Sequence, residues 1–123
     1  MTSKSSVSSE EFEQLVEQAL GELPKRFADL LDNVAVVVEE EPSPNDRRML
    51  TAPQGELLGL YRGVPLTARR YDALMLPDTI SIFRGPILRV TRGREAAIRQ
   101  IRETVIHELG HYFGLSDRDM GHG

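Results

Sequence analysis

Cysteine is absent from this 123-residue chain, which removes disulfides, thiolate zinc ligands and a cysteine nucleophile together. Any zinc bound here has to use histidine and carboxylate. Also missing is an apolar run near the roughly 20 residues of a membrane helix, so no membrane span is expected. The amino terminus, Met1-Thr2-Ser3-Lys4-Ser5-Ser6-Val7-Ser8-Ser9, has no apolar core of the kind a signal peptide needs. We therefore expect a cytoplasmic protein with residues 1–8 as a disordered lead. A basic excess is lacking too. Fifteen Lys and Arg stand against 19 Asp and Glu, a formal net charge of -4 that gives no general reason to expect nucleic acid.

What is present is ordinary for a soluble globular protein: 40% hydrophobic and 28% charged residues. The length suits one domain, residues 9–123, burying about two-thirds of the surface its unfolded form exposes. Charge is unevenly spread. Residues 1–41 hold ten acids against Lys4, Lys25 and Arg26, whereas Arg84, Arg89, Arg92, Arg94, Arg99 and Arg102 precede the carboxyl-terminal motif. Those arginines read as a solvated face with helix pairs such as Arg99 with Glu103.

Ser8 with Glu11 has the spacing of a capping box, and Phe12, Leu15, Val16, Ala19, Leu20 and Leu23 then repeat at helical spacing. Pro24 ends that helix and opens a short second one carrying Phe27, Leu30 and Leu31. The run Val34-Ala35-Val36-Val37-Val38 lacks alternation and reads as a strand buried on both faces. Residues 39–56 are rich in proline, asparagine and glycine and predict a long loop. Leu57–Tyr61, a turn at Arg62-Gly63, and Val64–Leu66 read as strand, turn, strand. A further strand from Asp78 to Arg84 puts Ile80 and Ile82 on one face and Thr79, Ser81 and Phe83 on the other, with Gly85-Pro86 stopping it. From Arg94 to Phe113 the pattern is helical, with Ile98, Ile101, Val105, Leu109 and Tyr112 in one stripe and Gly114 closing the helix.

The chemistry concentrates in His107-Glu108-Leu109-Gly110-His111-Tyr112-Phe113-Gly114-Leu115-Ser116-Asp117. Two histidines four apart on a helix point the same way, so two imidazole nitrogens reach one ion. His107 falls opposite Ile98 on the wheel, away from the core stripe. Glu108 lies beside His107 and can address a water on the metal without ligating it. A turn at Gly114 brings Asp117 back as a candidate third ligand, with His122 as its rival. Three protein ligands leave a fourth position for water acidified to a pKa of about 7, whose proton Glu108 takes and hands to a leaving amine.

HELGHYFGLSD resembles the zincin peptidase signature in its extended, metzincin-like form, with an aspartate where most metzincins have a third histidine; snapalysin-type peptidases carry the same aspartate. Over residues 10–120 the chain is similar to the mini-zincins, small bacterial predicted zinc peptidases. The resembling segments are Leu23-Pro24 with Phe27, Leu31–Val34, Leu58–Tyr61 through Pro65, Leu76–Ile80 and the helix into His107. The resemblance implies an α+β fold, a minimal zincin-like arrangement of a small mixed sheet, a backing helix and a carboxyl-terminal active-site helix. It also implies a Zn2+ cofactor and a peptide or protein substrate, lying along a rim strand for which Thr79, Ile80, Ser81, Ile82 and Phe83 are the candidates. Only six residues follow Asp117, so we expect no lower subdomain, and Met120 stands as a partial substitute for a Met-turn. Tyr61, Tyr71, Tyr112 and Arg84 are the candidate oxyanion donors.

Two other functions compete with peptide hydrolysis. A noncatalytic module would keep the metal and act through a protein partner. A metal-dependent endoribonuclease like the YbeY family would use two histidines four apart and a third ligand six later, with the arginines gripping RNA. That family lacks the glutamate and has histidine third.

Overall fold

A computed structural model describes residues 7–48, 55–63 and 77–114. Helix α1 (Ser9–Gly21) starts at the capping box: Glu11 N–H donates to Ser8 Oγ at 3.1 Å and Ser8 N–H to Glu11 Oε1 at 2.9 Å. Ser8 is the cap of α1, and Val7 packs against the core. The spacing of Phe12, Leu15, Val16 and Ala19 places all four on the buried stripe. Pro24 sits as the cap of α2 (Lys25–Leu30), which buries Phe27, and a 3-10 turn (Leu31–Asn33) delivers the chain to β1 (Val34–Glu39).

The stretch expected to be a plain loop contains a helical turn, α3 (Pro44–Arg47), with its own capping box from Ser43 and Asp46. Strands β2 (Gly59–Arg62) and β3 (Asp78–Phe83) complete a mixed sheet of order β1-β3-β2. β1 runs parallel to β3, from Val34 opposite Asp78 to Glu39 opposite Phe83. β2 runs antiparallel to β3, from Gly59 opposite Ile82 to Arg62 opposite Thr79. The chain does not stop at Gly85-Pro86. Helix α4 (Arg84–Val90) follows β3 directly, because a proline in the first turn gives up an N–H that has no helical acceptor there. Gly85 is required by a close approach: a Cβ there would collide with the Glu41 carboxylate, and its N–H donates to Glu40 O at 2.9 Å.

Helix α5 (Arg94–Phe113) lies against α1 and beneath the sheet. The core is the layer between them, where Ile80 and Ile82 meet Phe12, Leu15, Phe27, Ile101, Val105 and Leu109. These described elements form a small α+β fold, with α1, α2 and α5 on one face of the sheet. β1 is consequently not buried on both faces; it is an edge strand whose Val34, Val36 and Val38 pack on the core while Val37 is 38% exposed. On the other face Arg62 clamps α3 to the sheet with two 2.9 Å bonds to Asp46 and one of 3.0 Å to Ser81 Oγ. No described helix is long and apolar enough to cross a membrane.

Candidate metal centre

The buried face of α5 is Ala97, Ile98, Ile101, Thr104, Val105, Ile106, Leu109 and Gly110. His107 and His111 fall outside it and are exposed. One helical turn separates them, and their ring centroids lie 4.1 Å apart. One ligand atom from each of His107, Glu108 and His111 lies within 4.8 Å of the other two. Two imidazole nitrogens and a carboxylate oxygen on the exposed end of a helix are the donor types that suit a borderline divalent ion. Gly114, at φ 69°, takes the left-handed conformation that caps the helix just after the pair. Asp117, the expected third ligand, lies outside the described residues, as do His122, Met120 and Tyr71.

Glu108 is set apart from the histidines by what it touches. Its Oε1 accepts the main-chain N–H of Tyr61 at 3.1 Å. Burial raises its carboxyl above the ordinary value of 4.5, opposed by the Tyr61 N–H and by the nearby charge of His111. A glycine makes this reach possible. A Cβ on Gly59 would lie 2.6 Å from Thr104 Cγ2, so α5 runs hard against β2 there, and Glu108 comes one turn further along.

Tyr61 continues the arrangement. Its ring stacks on Tyr112 with centroids 3.9 Å apart and planes 12° from parallel, and its hydroxyl donates to Asp78 Oδ2 at 2.7 Å. Tyr112, expected in the core stripe, is 51% exposed; the stripe ends with Leu109 and the last turn of α5 projects past the core. Sequence reasoning reaches this tyrosine only as a candidate oxyanion donor, because nothing in the sequence pairs residue 61 with residue 108.

Other expectations need correction. Thr79, Ile80, Ser81, Ile82 and Phe83 do not form a rim: β3 is the middle strand, hydrogen-bonded on both sides, and Ile80, Ser81, Ile82 and Phe83 are each 0% exposed. The edge beside the histidine helix is β2. Arg84 is no oxyanion donor, since it stands at the far end of β3 from Asp78, roughly 20 Å along an extended strand, and bonds to Glu40 and the Val7 carbonyl. Two of the other arginines also turn to carboxylates, Arg89 to Glu41 and Glu56 and Arg102 to Glu22. Arg99 makes no ion pair with Glu103 among the described residues. From Arg94 to His107 the helix rises about 20 Å, so Arg94 is remote from the candidate metal residues.

A conserved hypothetical protein from Thermo thermophilus is similar in structure, at a TM-score of 0.54 and 27% identity, covering 87% of this chain and 94% of that one. No curated protein matches. The family model described as zincin-like metallopeptidase matches residues 31–123, a span that takes in all three strands and the whole of α5 with its histidine pair. The chain belongs to the zincin-like metallopeptidase family.

Proposed function

We propose that this chain is a zinc-dependent peptidase in which Glu108 is the general base and acid. The observation that carries the reading is the carboxylate of Glu108, held by the Tyr61 N–H of β2 and with an oxygen close to a nitrogen of each of two imidazoles. His107 and His111 would hold the ion, with Asp117 as the proposed third ligand. When bound, zinc supplies a Lewis acid and a water acidified to a pKa of about 7. The chain's own residues do the rest. The carboxylate of Glu108 takes a proton from the attacking water and returns it to the leaving amine, a role worth about 10² to 10⁴ in rate. The raised proton affinity of this half-buried carboxyl suits a group that must both accept and release.

An extended substrate would lie along β2. Phe83 N–H donates to Leu58 O, and this register turns the main-chain groups of residues 58, 60 and 62 toward β3 and those of Gly59 and Tyr61 outward. The Tyr61 N–H is given to Glu108 and Gly59 is buried, so the proposal for β2 rests on its place beside the histidine helix.

Glu108→Gln and His107→Ala test this reading with elemental analysis and an unbiased peptide mixture. Glu108→Gln should keep a full complement of zinc and lose cleavage by at least about 10²-fold, whereas His107→Ala should lose the metal. Undiminished cleavage by Glu108→Gln, or a fully loaded wild type that cleaves nothing, would overturn it, the second result in favour of a noncatalytic module.

A further inference from the structure

We propose that Tyr61 is the positioning residue of this site, one side chain and one N–H that tie the catalytic carboxylate and the last turn of α5 to the central strand. The inference rests on the reading of Glu108 as the proton carrier, and it adds the device that keeps that carboxylate in line.

The need arises from where Glu108 is anchored. Its main-chain partner sits on β2, a four-residue strand that among the described residues pairs on one side, with β3. A strand so short gives few bonds to hold it, and catalytic groups must be held within about 0.5 Å of their working positions. The histidines face a related difficulty: His111 is in the last turn of α5, close to the Gly114 cap, where helices fray. Tyr61 answers both. Its hydroxyl reaches Asp78 Oδ2, at the start of β3 and only 7% exposed, which pins the carboxyl end of β2 to the middle of the sheet. Its ring lies flat on Tyr112, the residue after His111, while Phe113 meets both rings edge-on at 6.3 and 5.0 Å. Glu108 and His111 thus take their places from one residue. A tyrosine that merely filled space would be replaceable by phenylalanine, whereas a positioning role requires the phenol.

Tyr61→Phe keeps the ring stack and removes the bond to Asp78; Tyr61→Leu removes both; neither touches the main-chain N–H. In Tyr61→Phe we expect kcat to fall about tenfold with KM within about twofold, at full zinc content, because the base is displaced rather than the substrate surface. Metal-free protein gives a readout independent of cleavage. Amide exchange at residue 61 should quicken about tenfold in Tyr61→Phe and in Glu108→Ala, with core amides such as those of Ile80 and Ile82 unchanged. Tyr61→Leu should in addition weaken zinc binding about tenfold in a chelator competition. Wild-type kcat together with wild-type exchange at residue 61 in Tyr61→Phe would overturn the proposal. So would a uniform quickening of all sheet amides, which marks a purely structural residue. If no peptide is cleaved by any form, the peptidase reading falls and the exchange measurements still decide the role of Tyr61.

Discussion

Gly59→Ala tests the contact that lets the histidine helix run close under β2. The added methyl would sit 2.6 Å from Thr104 Cγ2 and 3.0 Å from the Ser81 carbonyl oxygen, where ordinary contact is 3.4–4 Å. The strand or the helix must give by close to 1 Å. Forcing a carbon into a packed interior costs about 1–3 kcal/mol, and replacing glycine in a strand returns about 0.4–1 kcal/mol through the unfolded chain. The net expectation is a loss of about 1–2 kcal/mol, or on the order of 4–8 °C in Tm for a chain of this size. Thr104→Ser removes the offending methyl and keeps the hydroxyl bond to the Gln100 carbonyl. The double variant should recover about half of the loss, a coupling of at least about 0.5 kcal/mol in a double-mutant cycle. Denaturant unfolding of the four proteins is the assay. If Gly59→Ala matches the wild type, or Thr104→Ser rescues nothing, α5 does not depend on this glycine for its approach to β2.

Two further expectations concern the frame around the site. Hydrogen bonding to Arg62 holds the Asp46 carboxyl down at about 2, against an ordinary 3.8, and its side chain is only 11% exposed. Because the folded-state value is depressed, the stability it contributes, roughly 2 kcal/mol, is present above pH 4 and fades as pH falls toward 2. Asp46→Asn should lose that amount at pH 7 and converge with the wild type by pH 2, and a pH-independent gap between the two unfolding curves would contradict the cause given. Phe27→Ala, at a ring that is 1% exposed, should cost about 3–5 kcal/mol in denaturant unfolding; a loss below about 1 kcal/mol would mean the α2 ring is not part of the core.

Local rules are readable wherever a chemical device is contiguous in the chain. Ser8 with Glu11 announces α1, and Gly114 announces the end of the histidine helix, because caps depend on residues three or four apart. The same device at Ser43 and Asp46 is masked by the prolines around it. Gly85-Pro86 reads as a stop where a helix begins, since proline closes a strand and opens a first turn with equal ease. Strand order is beyond reach: Ile80 and Ile82 alternate as any half-buried strand does, and nothing local says that β1 and β2 flank them on both sides. The grouping of His107, Glu108 and His111 is legible from helix period alone. What positions Glu108 is not, because its partner is a main-chain N–H 47 residues away and an amide leaves no mark in the sequence.

The exposed edge of β1 carries a consequence for the chain before it folds. Val34-Ala35-Val36-Val37-Val38 is the segment most prone to pair with its own kind, and it is followed at once by Glu39, Glu40 and Glu41. In the folded protein those three carboxylates are spoken for, by Arg62, Arg84 and Arg89. In a nascent or unfolded chain the arginines are scattered, and the three charges repel a second copy of the segment. The same glutamates therefore act as gatekeepers against aggregation while the chain is open and become clamps once it closes.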